Sequence, residues 1–176
     1  QLIKVVGQPA FFDLDFAYKE ASKKKDPFKK IKERKTNVIL FVLEPVEDDQ
    51  GASHKENRDF RGYTEFDVIE ILIHGLKDLK DSFWMIVLPH PRQNIDKLKK
   101  IWGSCSGDQY GAIYECQRGR DLLPFVQGVV GMSSTLLYEA WLVGKNVLSI
   151  QPGLRINTLS MLFYKKGIRF IDKYNN

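Results

Sequence analysis

Runs that stay apolar over successive residues constrain this chain most. They are TNVILFVLEP at 36–45, SFWMIVLP at 82–89, GVVGM at 128–132 and NVLSI at 146–150, with GAIYEC at 111–116 and IRFID at 168–172 as weaker companions. A strand with one wet face alternates apolar and polar residues. A strand without that alternation is covered on both sides, as in a parallel sheet clothed by helices. Segments of helical period separate the runs. Thr64 can cap a helix carrying Phe66, Ile69, Leu72, Ile73, Leu76 and Leu79, and Asn94 to Trp102 places Ile95, Leu98 and Ile101 on one side. Thr135 to Val143 and Arg155 to Lys166 also read as helices, the latter stopped at Gly167, while Asp121 to Phe125 reads as a brief helical turn. The alternation predicts an α/β fold, a doubly wound, Rossmann-like parallel sheet of about six strands with helices on both faces.

At 176 residues the chain suits one domain with a substantial core. Residues 1–35 read as a lead-in segment and a basic helix broken before Pro27, and 36–176 as the Rossmann-like domain. The chain is expected to be a piece of a longer protein. Between Lys19 and Lys35 stand nine Lys/Arg and three Asp/Glu, a balance of +6, whereas the whole chain carries +5. No stacking aromatics interleave these charges, so nucleic acid is not the expected partner. A solvated helix face is the plainer reading, and peripheral contact with an anionic membrane the functional one. Cys105 and Cys116 show no metal spacing, and His54, His74 and His90 lie far apart, so neither a metal nor a cofactor is expected. The expected location is cytoplasmic, at the inner face of the membrane.

In doubly wound sheets, ligands sit beyond the carboxyl ends of the strands, near the switch in strand order. The loops to inspect therefore begin at Glu44, Pro89, Cys116, Met132 and Ile150. Ser133, Ser134 and Thr135 lie between a strand and a helix, where free N–H groups and the helix dipole favour a phosphate. Glu139 follows one turn later and can accept hydrogen bonds from a ribose diol. His90, stiffened between Pro89 and Pro91, can donate to a phosphate or act as an acid, and Arg92 can clamp the same group. The stretch from Glu44 to Gly62 reads as a charged loop in which Arg58 and Arg61 are candidate pyrophosphate contacts. Arg118 to Asp121 could form part of the wall around the base or ribose.

Three segments carry a family resemblance: VVGQPAFFDL near the start, HPR at 90–92, and MSSTLLYEAWLVGKNVLSIQP at 132–152. With them the chain resembles the C-terminal, donor-binding half of a two-domain glycosyltransferase of the GT-B architecture. It is similar in outline to bacterial capsular and wall polymer transferases (polysialyltransferase-like and CDP-glycerol glycerophosphotransferase-like) and to UDP-N-acetylglucosamine 2-epimerases. The resemblance implies that Ser133, Ser134 and Thr135 hold the phosphates of a nucleotide-sugar donor. It also implies that Glu139, before Ala140, holds the ribose, and that His90 with Arg92 neutralises the leaving phosphate. The epimerases carry Ser-Gly-Gly where this chain has Ser-Ser-Thr, which favours a transferase of surface or capsular polysaccharide biosynthesis. His54-Lys55-Glu56-Asn57 only partly echoes their His-Arg-Arg-Glu-Asn loop. The resemblance further implies an N-terminal acceptor domain, absent from this chain, without which the chain is expected to be inactive. An epimerase-like domain and a non-enzymatic flavodoxin-like module remain the alternatives.

Overall fold

The computed structural model describes residues 11–34, 37–50, 56, 58–79, 83–116, 118–155 and 166–172. Six strands form one sheet: β1 (Asn37–Val42), β2 (Phe83–Leu88), β3 (Gly111–Ile113), β4 (Gly128–Gly131), β5 (Asn146–Ile150) and β6 (Ile168–Ile171). They run in the order β3-β2-β1-β4-β5-β6, and every neighbouring pair is parallel. The expected α/β fold is thus the observed one. The switch in strand order falls between β1 and β4, where Ile39 stands opposite Gly128 and Val42 opposite Gly131.

Successive residues of the central strands enter opposite cores, as the unbroken apolar runs require. Val38, Leu40 and Val42 of β1 join Ile86 and Leu88 of β2 on one face. Helix α6 (Thr135–Leu142) covers that face through Leu137 and Ala140, together with Phe28 and the 3₁₀ segment Gly119–Phe125. On the other face, Phe41, Met85 and Val87 meet helices α4 (Glu65–Leu76) and α5 (Ile95–Ser104), with Trp102 fully buried. The cap anticipated at Thr64 is present, and Asn94, expected as the first residue of α5, is its N-cap. Thr64 and Asp67 exchange bonds in a capping box, and the Asn94 side chain accepts from the Lys97 N–H at 3.0 Å.

One local expectation changes. The stretch after β1 is not all loop: Val46–Gln50 forms the short helix α3, whose Val46 and Gln50 turn inward. The basic stretch is broken before Pro27 as expected, into α1 (Leu14–Ser22) and α2 (Lys29–Lys32), and Phe28 between them is 1% exposed within the core. Four of its lysines are paired with acids: Lys19 with Asp15, Lys23 with Glu20, Lys24 with Asp121 and Lys32 with Asp26. The helix expected from Arg155 to Lys166 lies outside the described residues, apart from its two end residues. So do Lys35 and all but Glu56 of the stretch 54–57.

Because β1 is buried on both faces, truncation on either face is costly. Leu40→Ala and Phe41→Ala should each destabilise the chain by about 2–5 kcal/mol in chemical denaturation. A near-neutral result for either would mean that one face of β1 is not covered.

Candidate functional site

Each central strand delivers polar residues just past its last apolar one, and several of these meet at the switch between β1 and β4. Glu44, two residues beyond β1, accepts from the Ser133 N–H at 2.6 Å and from the Ser133 hydroxyl at 3.1 and 3.2 Å. Arg61 and His90 lie within electrostatic reach of the same carboxylate. Burial pushes the Glu44 carboxyl above its usual range, against the lowering effect of the bonds from Ser133 and of Arg61 and His90 nearby. Tyr63, 1% exposed, donates to Gln151 at 3.2 Å, and its phenol is pushed up by burial and by Glu44. Gln151 in turn donates to the Met132 carbonyl and to Ser149, which itself donates to Met132. This buried polar network fastens the exits of β1, β4 and β5 together.

Gly62 makes the approach of Tyr63 possible. Its φ is +106°, and a Cβ there would stand 2.0 Å from the Gly153 carbonyl oxygen. The loop after β1 can therefore lie directly against the loop after β5, where the Arg155 N–H donates to Arg61.

Ser134 is the N-cap of α6, and its hydroxyl accepts from the Leu136 N–H at 3.3 Å. The Leu137 N–H returns to the Ser134 carbonyl. Among the described residues, the N–H groups of Ser134 and Thr135 have no hydrogen-bond partner within the chain. Thr135 is exposed, Ser134 partly exposed and Ser133 buried. Of the three small residues, Ser133 is thus committed to Glu44, while the other two present the open donors of the helix end.

His90 leaves β2 in a fixed pose. Its N–H donates to the Gln93 side chain at 3.2 Å, and Gln93 donates to buried Glu65 at 3.3 Å. Glu65 also accepts from the Glu47 N–H at 2.8 Å, and burial raises its carboxyl above the usual range. The His90 Nδ1 accepts from the Arg92 N–H at 3.2 Å. The neutral imidazole therefore carries its proton on Nε2, as a donor.

The remaining candidates are placed differently. Arg92 is exposed and pairs with Asp49 at 2.9 Å. Arg58 is exposed in the turn after α3. Glu139, 7% exposed, is gripped by Arg120, whose Nε donates at 3.1 Å and Nη2 at 2.5 Å. Glu44 is the site residue that motif reading missed; Arg120 lies in the 118–121 stretch expected to wall the base or ribose, but its grip on Glu139 was not foreseen. The usable signal for Glu44 was position, since it heads the loop at the carboxyl end of the first strand. Among the described residues, no group of three or more His, Cys, Asp or Glu is placed to hold a metal ion.

With this geometry in hand, comparison with known proteins shows the class of fold. No protein-family model and no curated protein matches the chain. Among solved structures it superposes on a glycosyltransferase from Rickettsia africae ESF-5 with TM-score 0.56 at 10% identity, covering 92% of this chain and 41% of that one. It also superposes on the pneumococcal O-GlcNAc transferase GtfA, solved in complex with UDP and GlcNAc, with TM-score 0.50 at 12% identity. That match covers 88% of this chain and 26% of GtfA. The chain therefore has a glycosyltransferase-like, Rossmann-like α/β fold, and it spans less than half the length of either structure.

The tie between Glu44 and Ser133 has a consequence for pH. Burial favours the neutral acid in the folded chain. Above the ordinary carboxyl value of 4.5, the folded state therefore holds more of this proton than the unfolded state. Stability associated with Glu44 is complete below that value and is lost as pH rises through the raised one. Denaturation of the wild type and Glu44→Gln side by side should show the wild type losing stability relative to the variant as pH climbs from 4.5. Parallel stability curves would refute the assignment.

Proposed function

We propose that this chain is the nucleotide-sugar-binding domain of a glycosyltransferase, with the donor's phosphate seated at the amino end of α6. The observation that carries this reading is the pair of unengaged N–H groups on Ser134 and Thr135. They stand at the carboxyl end of β4, beside the switch in strand order, with His90 and Arg61 grouped around neighbouring Glu44. Two amides at a helix amino end, with the helix dipole behind them, are the usual physical means of holding a phosphate.

In the proposed reaction the bond from the sugar's anomeric carbon to the phosphate oxygen breaks and an acceptor hydroxyl takes the sugar. Charge then develops on the departing nucleotide phosphate. Fixed donors aimed at that oxygen lower the barrier, and here they are the Ser134 and Thr135 amides and the His90 Nε2–H. Glu139 would take a ribose hydroxyl. The acceptor and the base that deprotonates it would belong to an N-terminal domain, and this chain alone would bind donor without turning it over. The motif resemblance points to surface or capsular polymer synthesis. Product analysis of the full-length protein separates this from the epimerase reading, because an epimerase consumes its sugar nucleotide without an acceptor. A flavodoxin-like module would bind none of these donors.

The direct test is titration calorimetry with UDP, CDP, CMP and GDP. Thr135 is the first residue of α6, and Ser134 before it has φ −57° and ψ 140°, a conformation that tolerates a following proline. Thr135→Pro should therefore leave the fold intact, remove one amide donor and weaken nucleotide binding about 10- to 100-fold. Thr135→Ala, which keeps the amide, should lose less. Equal affinity in Thr135→Pro and wild type would reject the phosphate seat.

A peripheral contact with an anionic membrane is a second proposed interaction. Phe12, just before α1, and Phe16, within it, are 76% and 68% exposed, and Lys23, Lys25, Lys29 and Lys30 of the same basic stretch are exposed too. Apolar side chains beside basic ones suit an interfacial surface. The chain should cosediment with anionic vesicles at low salt and release at high salt. Phe12→Ser combined with Phe16→Ser should weaken that binding.

A further inference from the structure

Glu139 does not stand alone. Its side chain is 9% exposed and that of Arg120 is 16% exposed, so the pair is withdrawn from water together. Arg120 lies in the 3₁₀ segment Gly119–Phe125, 19 residues ahead of Glu139. Gly119 packs closely there: a Cβ would stand 2.5 Å from Leu88 Cδ2 and 2.8 Å from Leu136 Cδ2, and those two side-chain ends would have to shift to admit it. With no side chain at 119, the segment settles onto α6 and brings the Arg120 fork across both carboxylate oxygens. The Arg120 Nη1 also donates to Asp13, the N-cap residue of α1, at 3.1 Å.

A two-point contact of this kind fixes the plane of the carboxylate as well as its position. A carboxylate has about four acceptor sites, and the fork occupies one on each oxygen. What remains lies on the outer edge of each oxygen, at an angle set by Arg120. We infer that Arg120 is a positioning residue for ribose recognition: it locks Glu139 so that one outer carboxylate edge meets a hydroxyl of the donor's ribose. This inference rests on the donor-binding reading above. It adds that discrimination between ribose and deoxyribose depends on a residue that does not touch the sugar.

A residue that merely braced the fold would change affinity for all nucleotides alike. Arg120 should instead change one ratio. The probes are the best-bound ribonucleotide of the calorimetric series and its 2′-deoxy and 3′-deoxy analogues. Wild type should prefer the ribonucleotide to at least one analogue by about tenfold or more. Glu139→Gln should reduce that preference. Arg120→Lys keeps the charge but cannot span both oxygens, and it should also shrink the ratio while leaving affinity for the deoxy analogue within about twofold. Arg120→Gln provides a second, uncharged variant, and Asp13→Asn should leave the ratio unchanged. Loss of the ratio in Glu139→Gln but its full retention in both Arg120 variants would overturn this inference alone. Wild type that binds ribonucleotide and both analogues equally would overturn the ribose assignment with it. A chain that binds no nucleotide would overturn the donor-binding reading as a whole.

Discussion

A parallel strand covered on both faces has no place for a polar side chain except at its ends. That constraint organises this molecule. From Val38 to Val42 and from Met85 to Leu88, successive side chains enter opposite cores, and the chain turns polar only past those residues. Glu44, His90, Ser133 and Gln151 all lie within three residues of the end of a strand. Chemistry is concentrated at one rim of the sheet because the interior of the strands excludes it.

At that rim Glu44, Arg92 and Glu139 each have a partner. Glu44 takes the amide and hydroxyl of Ser133, Arg92 is held by Asp49, and Glu139 is held by Arg120. Buried carboxylates left without such partners would cost several kcal/mol each. The rim is therefore a preorganised surface whose fixed groups surround a small number of open donors. An incoming anion would meet amides already aimed and would not need to reorder the side chains around them.

The fold was legible in the sequence because its signal is local. Unbroken apolar runs and capped helices can be read within a window of about ten residues. The site was legible only in part, for the opposite reason. Ser133, Ser134 and Thr135 announce themselves as small residues between a strand and a helix, but the partner of Ser133 lies 89 residues away. Glu44 looks like an ordinary surface charge until the sheet order brings it inward, and the partner of Arg120, Glu139, shows itself only in the fold. Arg92 likewise meets an acid that no local motif announces, Asp49, 43 residues earlier. Helix α3 escaped because five residues, VEDDQ, are too few and too polar to show a helical period; only Val46 and Gln50 turn inward.

The central position of β1 has a further consequence, for synthesis. Its neighbour β2 follows closely, but its other neighbour, β4, begins only at Gly128. A chain emerging amino end first can build the β1–β2–β3 half while the second edge of β1 stays bare. That edge belongs to an apolar strand and exposes unpaired N–H and C=O groups, which pair readily with strands of other chains. The hazard built into this strand order is therefore aggregation before residue 128 is made, and it disappears once β4 closes the sheet.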